Sequence, residues 1–232
     1  MAIDPADGRP WVLVPGTLCT GAVFGPFLDA LGVPPGARHT VDLRHPEIGD
    51  YLGPLTALGD PRAIICGFSL GAIVAAHLAD RIEAAECLFF GLTPRADDPA
   101  KRDGRLALAA DVARLGGAAA LGPRLGALAG PDPEAARARI LAMADETAGC
   151  IEAQTRLALE RPGALPALAR AAIPVTILTG TDDVQAPLAL AREAAEAAAR
   201  GRVVPLTGLG HYALVEDPAS CARAVAEAWR PE

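Results

Sequence analysis

The chain has 232 residues, 51% of them hydrophobic and 21% charged, with a formal net charge of −7. This length suits one large domain, or one domain with a sizeable insertion, and the composition excludes disorder. The negative balance repels polyanions and no basic stripe overrides it, which excludes nucleic acid as a partner.

The N-terminal stretch MAIDPADGRPW has no basic start followed by a long apolar run. No segment approaches the ~20 apolar residues of a membrane span. A soluble, cytoplasmic protein without membrane contact is expected. Cys19, Cys66, Cys87, Cys150 and Cys221 lie far apart, with no C-x-x-C pair; they read as small buried apolar residues in a reducing compartment. The single lysine, Lys101, does not follow a glycine and sits in a polar stretch, which argues against a phosphate-binding P-loop and against Schiff-base chemistry.

Short apolar runs follow one another along the chain: WVLV (11–14), HTVDL (39–43), AIIC (63–66), CLFF (87–90), VTIL (175–178) and RVVPL (202–206). Helical patterns separate them. Continuous apolar strands alternating with helices predict an α/β fold, a mostly parallel sheet of about six strands covered on both faces. The stretch after Ser69, LGAIVAAHLADRI, is apolar around most of its circumference, as in a helix buried against a sheet. PLALAREAAEAAARG starts with Pro187 and stops at Gly201, and DPASCARAVAEAW has Pro218 at its start, so both read as crossover helices.

About 80 residues, 93–172, separate the fourth strand from the fifth, far more than the handful of an ordinary α/β connection. Within them Asp132 offers an N-cap and Pro133 a first helical residue, and Ile140, Met143, Thr147, Ile151 and Gln154 recur along one helical face. The expectation is a helical lid over 93–172 inserted into a core formed by 1–92 and 173–232.

Only two serines occur, and Ser69 stands in Gly67-Phe68-Ser69-Leu70-Gly71. With glycine at 24 of 232 residues, two flanking glycines arise by chance at a given serine in roughly 1% of cases, somewhat above the rate for average glycine usage. The pentapeptide follows a strand and opens a helix, the setting in which such a serine is a nucleophile on a strained turn. Leu70 then offers its backbone N–H at a helix start, where a developing oxyanion is favoured.

A serine hydroxyl needs a base and a group that orients the base. His77 lies mid-helix, His39 begins a strand and His45 follows it in a loop; all three read as structural or surface residues. His211 sits directly after the last strand, at the carboxyl edge where α/β sheets gather catalytic loops. Asp182 and Asp183 leave the fifth strand in a polar turn, giving the chain order Ser, Asp, His.

Over nearly its full length the chain resembles the α/β-hydrolase superfamily. VPGTLC looks like its oxyanion loop, GFSLGA its nucleophile elbow, GTDDVQAP its acid turn and GLGHYALVEDP its base loop. The resemblance implies Ser69 as nucleophile, Asp183 as acid and His211 as base. It also implies Leu70 and Thr17 as oxyanion donors, with Leu18 as the alternative to Thr17. Pro15 stands where the family has histidine, and DLRHPE replaces the D-x-P-G-H-G turn, which makes Arg44 and His45 candidates for shaping the entrance.

The function expected is that of a serine esterase or thioesterase acting on a small-molecule substrate without metal or cofactor. Alanine and leucine in the insertion suggest an apolar acyl group, with Phe24, Phe68 and Tyr212 lining its pocket. An acyltransferase or a non-catalytic ligand-binding protein on the same fold is the alternative. TGLGHYA also fits a dinucleotide-binding glycine pattern, but such a unit needs a further strand after its helix and none follows. Serine at the elbow argues against an epoxide hydrolase or dehalogenase, which would carry aspartate there. Monomer and homodimer both remain open.

Overall fold

The computed structural model describes residues 3–230, so the outermost ends of the expected core segments lie outside it. Six strands, β1 (Trp11–Val14), β2 (Arg38–Thr40), β3 (Ile64–Phe68), β4 (Glu86–Phe90), β5 (Val175–Gly180) and β6 (Gly201–Leu206), form one sheet in the order β2-β1-β3-β4-β5-β6. Every described pairing is parallel. The register aligns Val14 with Gly67 and Phe68 with Phe90, so the carboxyl ends of β1, β3 and β4 open onto a common edge.

Alternate residues feed two separate cores. Trp11, Leu13, Ile64, Cys66, Leu88 and Phe90 pack on one face, and Val12, Val14, Ile65, Cys87 and Phe89 on the other. Burial on both faces explains why the central strands read as unbroken apolar runs rather than as alternating ones. The outer strands β2 and β6 are only partly covered, and β2 ends at Thr40, short of the run expected through residue 43.

Helices follow as α1 (Gly25–Leu31), α2 (Leu52–Thr56), α3 (Leu70–His77), α4 (Arg102–Leu115), α5 (Gly117–Leu121), α6 (Pro133–Glu146), α7 (Ile151–Glu160), α8 (Leu165–Arg170), α9 (Leu188–Ala197), α10 (Ala213–Glu216) and α11 (Pro218–Ala228). On one face α1 and α11 pack against each other; on the other lie α3, α8 and α9. α3 is buried from Leu70 to Ala76. Small residues let it approach the sheet: a Cβ on Gly71 would lie 2.0 Å from the Val14 carbonyl oxygen, and one on Gly67 2.6 Å from Ala72 Cα. No helix among the described residues is long and apolar enough to cross a membrane.

Between β4 and β5 the chain runs through α4 to α8. The Asp132 side chain caps α6 by accepting from the Ala135 N–H at 3.0 Å, with Pro133 in the first turn. The stretch 132–160 is not one helix, however. It breaks at Ala148–Cys150, where the Thr147 hydroxyl donates to the Met143 carbonyl at 2.8 Å and Gly149 disfavours continuation, and resumes as α7. Ile140, Met143, Ile151 and Gln154 are nonetheless all buried. α8 packs on α3 and α9, so the end of this stretch forms part of the layer over the sheet. α9 likewise stops at Ala197, short of Gly201, because Gly201 opens β6 and passes so close to α9 that a Cβ there would meet the Ala195 carbonyl oxygen at 2.0 Å.

Candidate active site

Ser69 occupies the sharp turn between β3 and α3 with φ 50° and ψ −116°, a conformation that a side-chain-bearing residue adopts only under constraint. The constraint is visible. Its N–H donates to the Phe90 carbonyl at 2.9 Å, its carbonyl accepts from Ile73 at 3.0 Å, and glycines on both sides remove the Cβ atoms that would collide with α3 and β1.

His211 lies on the loop between β6 and α10. Its Nε2 is 3.0 Å from Ser69 Oγ, and its Nδ1 is 2.8 Å from Asp183 Oδ2. Asp183 follows β5 and is 3% exposed; its Oδ1 accepts from the N–H groups of Gln185 and Ala186, both at 2.8 Å. Burial works against ionisation of this carboxyl, but its bond to His211, the charge of His211 and those two amides outweigh it and hold it below the usual carboxylate value. An ionised Asp183 can only accept, so it draws the imidazole proton to Nδ1 and leaves Nε2 free to accept from the serine hydroxyl. Asp182 takes no part: its side chain is exposed and accepts only from Thr181 Oγ1, at 3.2 Å.

Two supports for His211 come from outside the three motif residues. Phe68 and Tyr212 pack against the imidazole with ring centroids 5.3 and 5.7 Å away. The buried Glu216 carboxylate accepts from the Gly210 N–H at 2.6 Å and pins the loop just before the histidine.

The loop after β1 brings Gly16 against the elbow, where a Cβ would lie 3.0 Å from Ser69 Cβ. Thr17, next in line, and Leu70, the first residue of α3, both border the same cavity as Ser69 and His211. Leu18 cannot serve as the second oxyanion donor in this arrangement: its N–H is already bonded to Gln154 Oε1 at 2.9 Å. Gln154, 2% exposed on α7, also donates to the Leu43 carbonyl at 3.4 Å. The sequence places Gln154 on a helical face but carries no sign that it reaches across 136 positions to the loop after β1.

The cavity measures about 690 Å³. Its sheet side is lined by Thr17, Ser69, Leu70, Ile73, Gly91 and His211, and the side formed between β4 and β5 by Arg95, Asp97, Lys101, Arg105, Arg124 and Arg161 among others. Charged groups thus share the wall with apolar ones such as Leu108 and Ala158 where an apolar acyl pocket is expected. Phe24, Phe68 and Tyr212 do not line it: Phe24 is wholly enclosed in the core at the start of α1, Phe68 faces the same core beneath His211, and Tyr212 is buried in that core as well.

Arg44 and His45 stay away from the cavity as well. Arg44 pairs with Asp42 at 2.9 Å, and the Tyr51 hydroxyl bridges the backbone N–H and C=O of His45, both at 2.7 Å. His77 is held structurally, with Nδ1 on the Ile73 carbonyl at 2.7 Å and Nε2 accepting from the Gly163 N–H at 3.1 Å. Four of the five cysteines are buried. Desolvation pushes the Cys19 thiol up to about 12, which makes it inert; Cys150 is half-buried instead. No group of three or more His, Cys, Asp or Glu that could hold a metal occurs among the described residues.

A family model described as the alpha/beta hydrolase family matches residues 6–224. None of the curated proteins matches. Among solved structures, a malate-bound thermophilic esterase from Thermogutta terrifontis superposes with a TM-score of 0.78 at 22% identity, covering 94% of this chain and 88% of the other. An enol-lactonase from Burkholderia xenovorans LB400 gives 0.75 at 21% identity over 94% and 90%, and an esterase from Rhodococcus sp. ECU1013 gives 0.74 at 23% over 97% and 91%. At these identities the likeness is one of fold. With its six parallel strands and a family match over most of its length, this chain belongs to the alpha/beta hydrolase family.

Proposed function

We propose that the protein is a serine hydrolase that cleaves a carboxylic ester or thioester of a small molecule through an acyl-enzyme. One observation carries this reading: a single imidazole bridges Ser69 Oγ and the buried Asp183 carboxylate. Ser69 Oγ attacks the carbonyl carbon as His211 Nε2 takes its proton, and the carbonyl oxygen becomes an oxyanion facing the N–H groups of Leu70 and Thr17. Collapse of the tetrahedral adduct expels the alcohol or thiol, which receives the proton from His211. Water then attacks the acyl-serine with the same base, releasing the acid and restoring the hydroxyl. Asp183 stays ionised throughout and stabilises the transient imidazolium. Every group used is a side chain or amide of this chain. The insertion acts as a lid over this chemistry, and we place the reaction in the cytoplasm.

Membership in a family whose structurally similar proteins include esterases and a lactonase supports the class of reaction. A fluorophosphonate probe tests the mechanism: it is expected to label the wild-type protein and not Ser69→Ala. Turnover of simple aryl esters by Ser69→Ala is expected to fall by ~10³-fold or more. Near-normal turnover by the purified variant would refute the nucleophile assignment.

A further inference from the structure

The side of the cavity formed by the chain between β4 and β5 carries a cluster of charged side chains among apolar ones such as Leu108 and Ala158. Arg95, Lys101, Arg105, Arg124 and Arg161 line it against Asp97 and Asp98, in a chain whose net charge is −7. Glu193 and Asp111, outside the lining, pair with Arg95 at 2.8 Å and with Arg124 at 2.5 Å. When these two are included, the wall holds one more cation than carboxylates.

The surplus is localised. Asp97, 6% exposed, is shared by two guanidinium groups: Arg105 holds it through Nε at 2.8 Å and Nη2 at 2.6 Å, and Arg161, itself 4% exposed, through Nη2 at 2.8 Å. Arg161 spends its other donors on the carbonyls of Arg95 and Ala158. Arg105 Nη1 makes no hydrogen bond, and Lys101 no ion pair, among the described residues. Two guanidiniums on one carboxylate leave a positive charge uncompensated; with the Arg161 and Asp97 side chains enclosed at 4% and 6% exposure, the surplus falls on Arg105, whose side chain is 30% exposed and borders the cavity. An anion entering the cavity would supply the missing charge and accept from the donors left over.

Resting on the hydrolase reading, we propose that the substrate carries an anionic group, a carboxylate in the simplest case, seated against Arg105 and Lys101 while its ester or thioester carbonyl lies at Ser69. The structure thereby favours charged acyl esters, or esters with a charged leaving group, over neutral esters of the same length.

Two ester series separate the sources of the anion. The first sets mono-4-nitrophenyl esters of succinate through pimelate against 4-nitrophenyl alkanoates of equal chain length. The second sets 4-carboxyphenyl hexanoate against phenyl hexanoate. In at least one series, kcat/KM for the anionic member should exceed that of its neutral partner by ten-fold or more. That ratio should shrink at 1 M NaCl and fall at least ten-fold in Lys101→Met and in Arg105→Gln; Lys101 is exposed, so its variant tests the idea even where Arg105→Gln folds poorly. Calorimetry of adipate against hexanoate on Ser69→Ala reads binding apart from chemistry. Adipate binding without any ester turnover would sustain the anion site and sink the hydrolase reading. Neutral partners preferred in both series, with adipate no tighter than hexanoate, would overturn the proposal and leave hydrolysis standing.

Discussion

Gly91 and His211 are in contact across the sheet edge: a Cβ added to Gly91, which has φ +61°, would lie 3.0 Å from Cε1 and 3.2 Å from Nδ1 of the imidazole. The residue directly after β4 is thus the floor on which the histidine ring rests. Gly91→Ala should impose a backbone cost of ~1–2 kcal/mol and push the ring off its line to Ser69. Displacements of this size reduce rates by about 10- to 100-fold. Steady-state kinetics with thermal unfolding on the same preparation checks it, since a variant that loses stability but keeps kcat/KM would show that the contact does not position the base.

Gln154 links α7 to the loop after β1 by occupying the Leu18 N–H, the residue beside Leu18 being the proposed donor Thr17. Leu18 itself has φ 55°, so this loop is held in a conformation that it would relax from if released. Gln154→Leu leaves a buried N–H without a partner at a cost of ~1–3 kcal/mol. It should also lower kcat by roughly 10- to 100-fold with a much smaller change in KM, since a misplaced donor weakens binding of the oxyanion rather than of the ground state. A change confined to KM would assign Gln154 to substrate binding instead.

The contrast between these two residues and the motif residues shows what a sequence can convey. The elbow at Ser69, the turn at Asp183 and the loop at His211 each carry local backbone demands, such as flanking glycines and a strand before a turn, and those demands leave a pattern within a few residues. The strands are legible for the same reason: burial on both faces forces unbroken apolar runs. Gln154 and Gly91 act through contacts over long sequence separations, and nothing local marks them. Phe24, Phe68 and Tyr212 mislead because an aromatic side chain looks alike whether it faces a cavity or the core beneath it. The break at Ala148–Cys150 is hidden because the buried face continues through it. The charge on the insertion wall escapes a reading by composition, since its arginines are spread from Arg95 to Arg161 and only the fold gathers them.

Acid should weaken the protein partly through Asp183. Its native carboxyl ionises below the ordinary value of 3.8, so the unfolded chain takes up this proton first as pH falls. The stabilisation is therefore complete above about pH 4 and is lost progressively below it, as pH approaches the lower native value. Asp183→Asn lacks this titration. At pH 6 it should be less stable than wild type by ~1–3 kcal/mol, with the gap narrowing toward pH 3, while its activity at pH 7 falls by ~10³- to 10⁴-fold. Urea unfolding at several pH values measures the gap; one that stays constant from pH 6 to pH 3 would contradict the depressed ionisation.

At the opposite end of β4 from Gly91, Glu86 tests whether stability and chemistry separate along one strand. Its carboxylate, 3% exposed, accepts from Arg202 Nη2 at 2.8 Å, from Trp229 Nε1 at 2.7 Å and from the Thr176 hydroxyl, tying β4, β5, β6 and the end of α11 together. Glu86→Leu fills similar space but strands the buried indole N–H and removes the partner of a half-buried guanidinium. Stranding a buried donor of this kind costs ~1–3 kcal/mol, and at ~2–4 °C per kcal/mol for a chain of this size the Tm should drop by roughly 5 °C. Because Glu86 lies at the amino edge of the sheet and Ser69 at the carboxyl edge, kcat/KM measured well below the lowered Tm should stay within about two-fold of wild type. A large kinetic loss at full foldedness would mean that the two edges are mechanically coupled through β4, with Gly91 and the His211 ring as the first contact to examine.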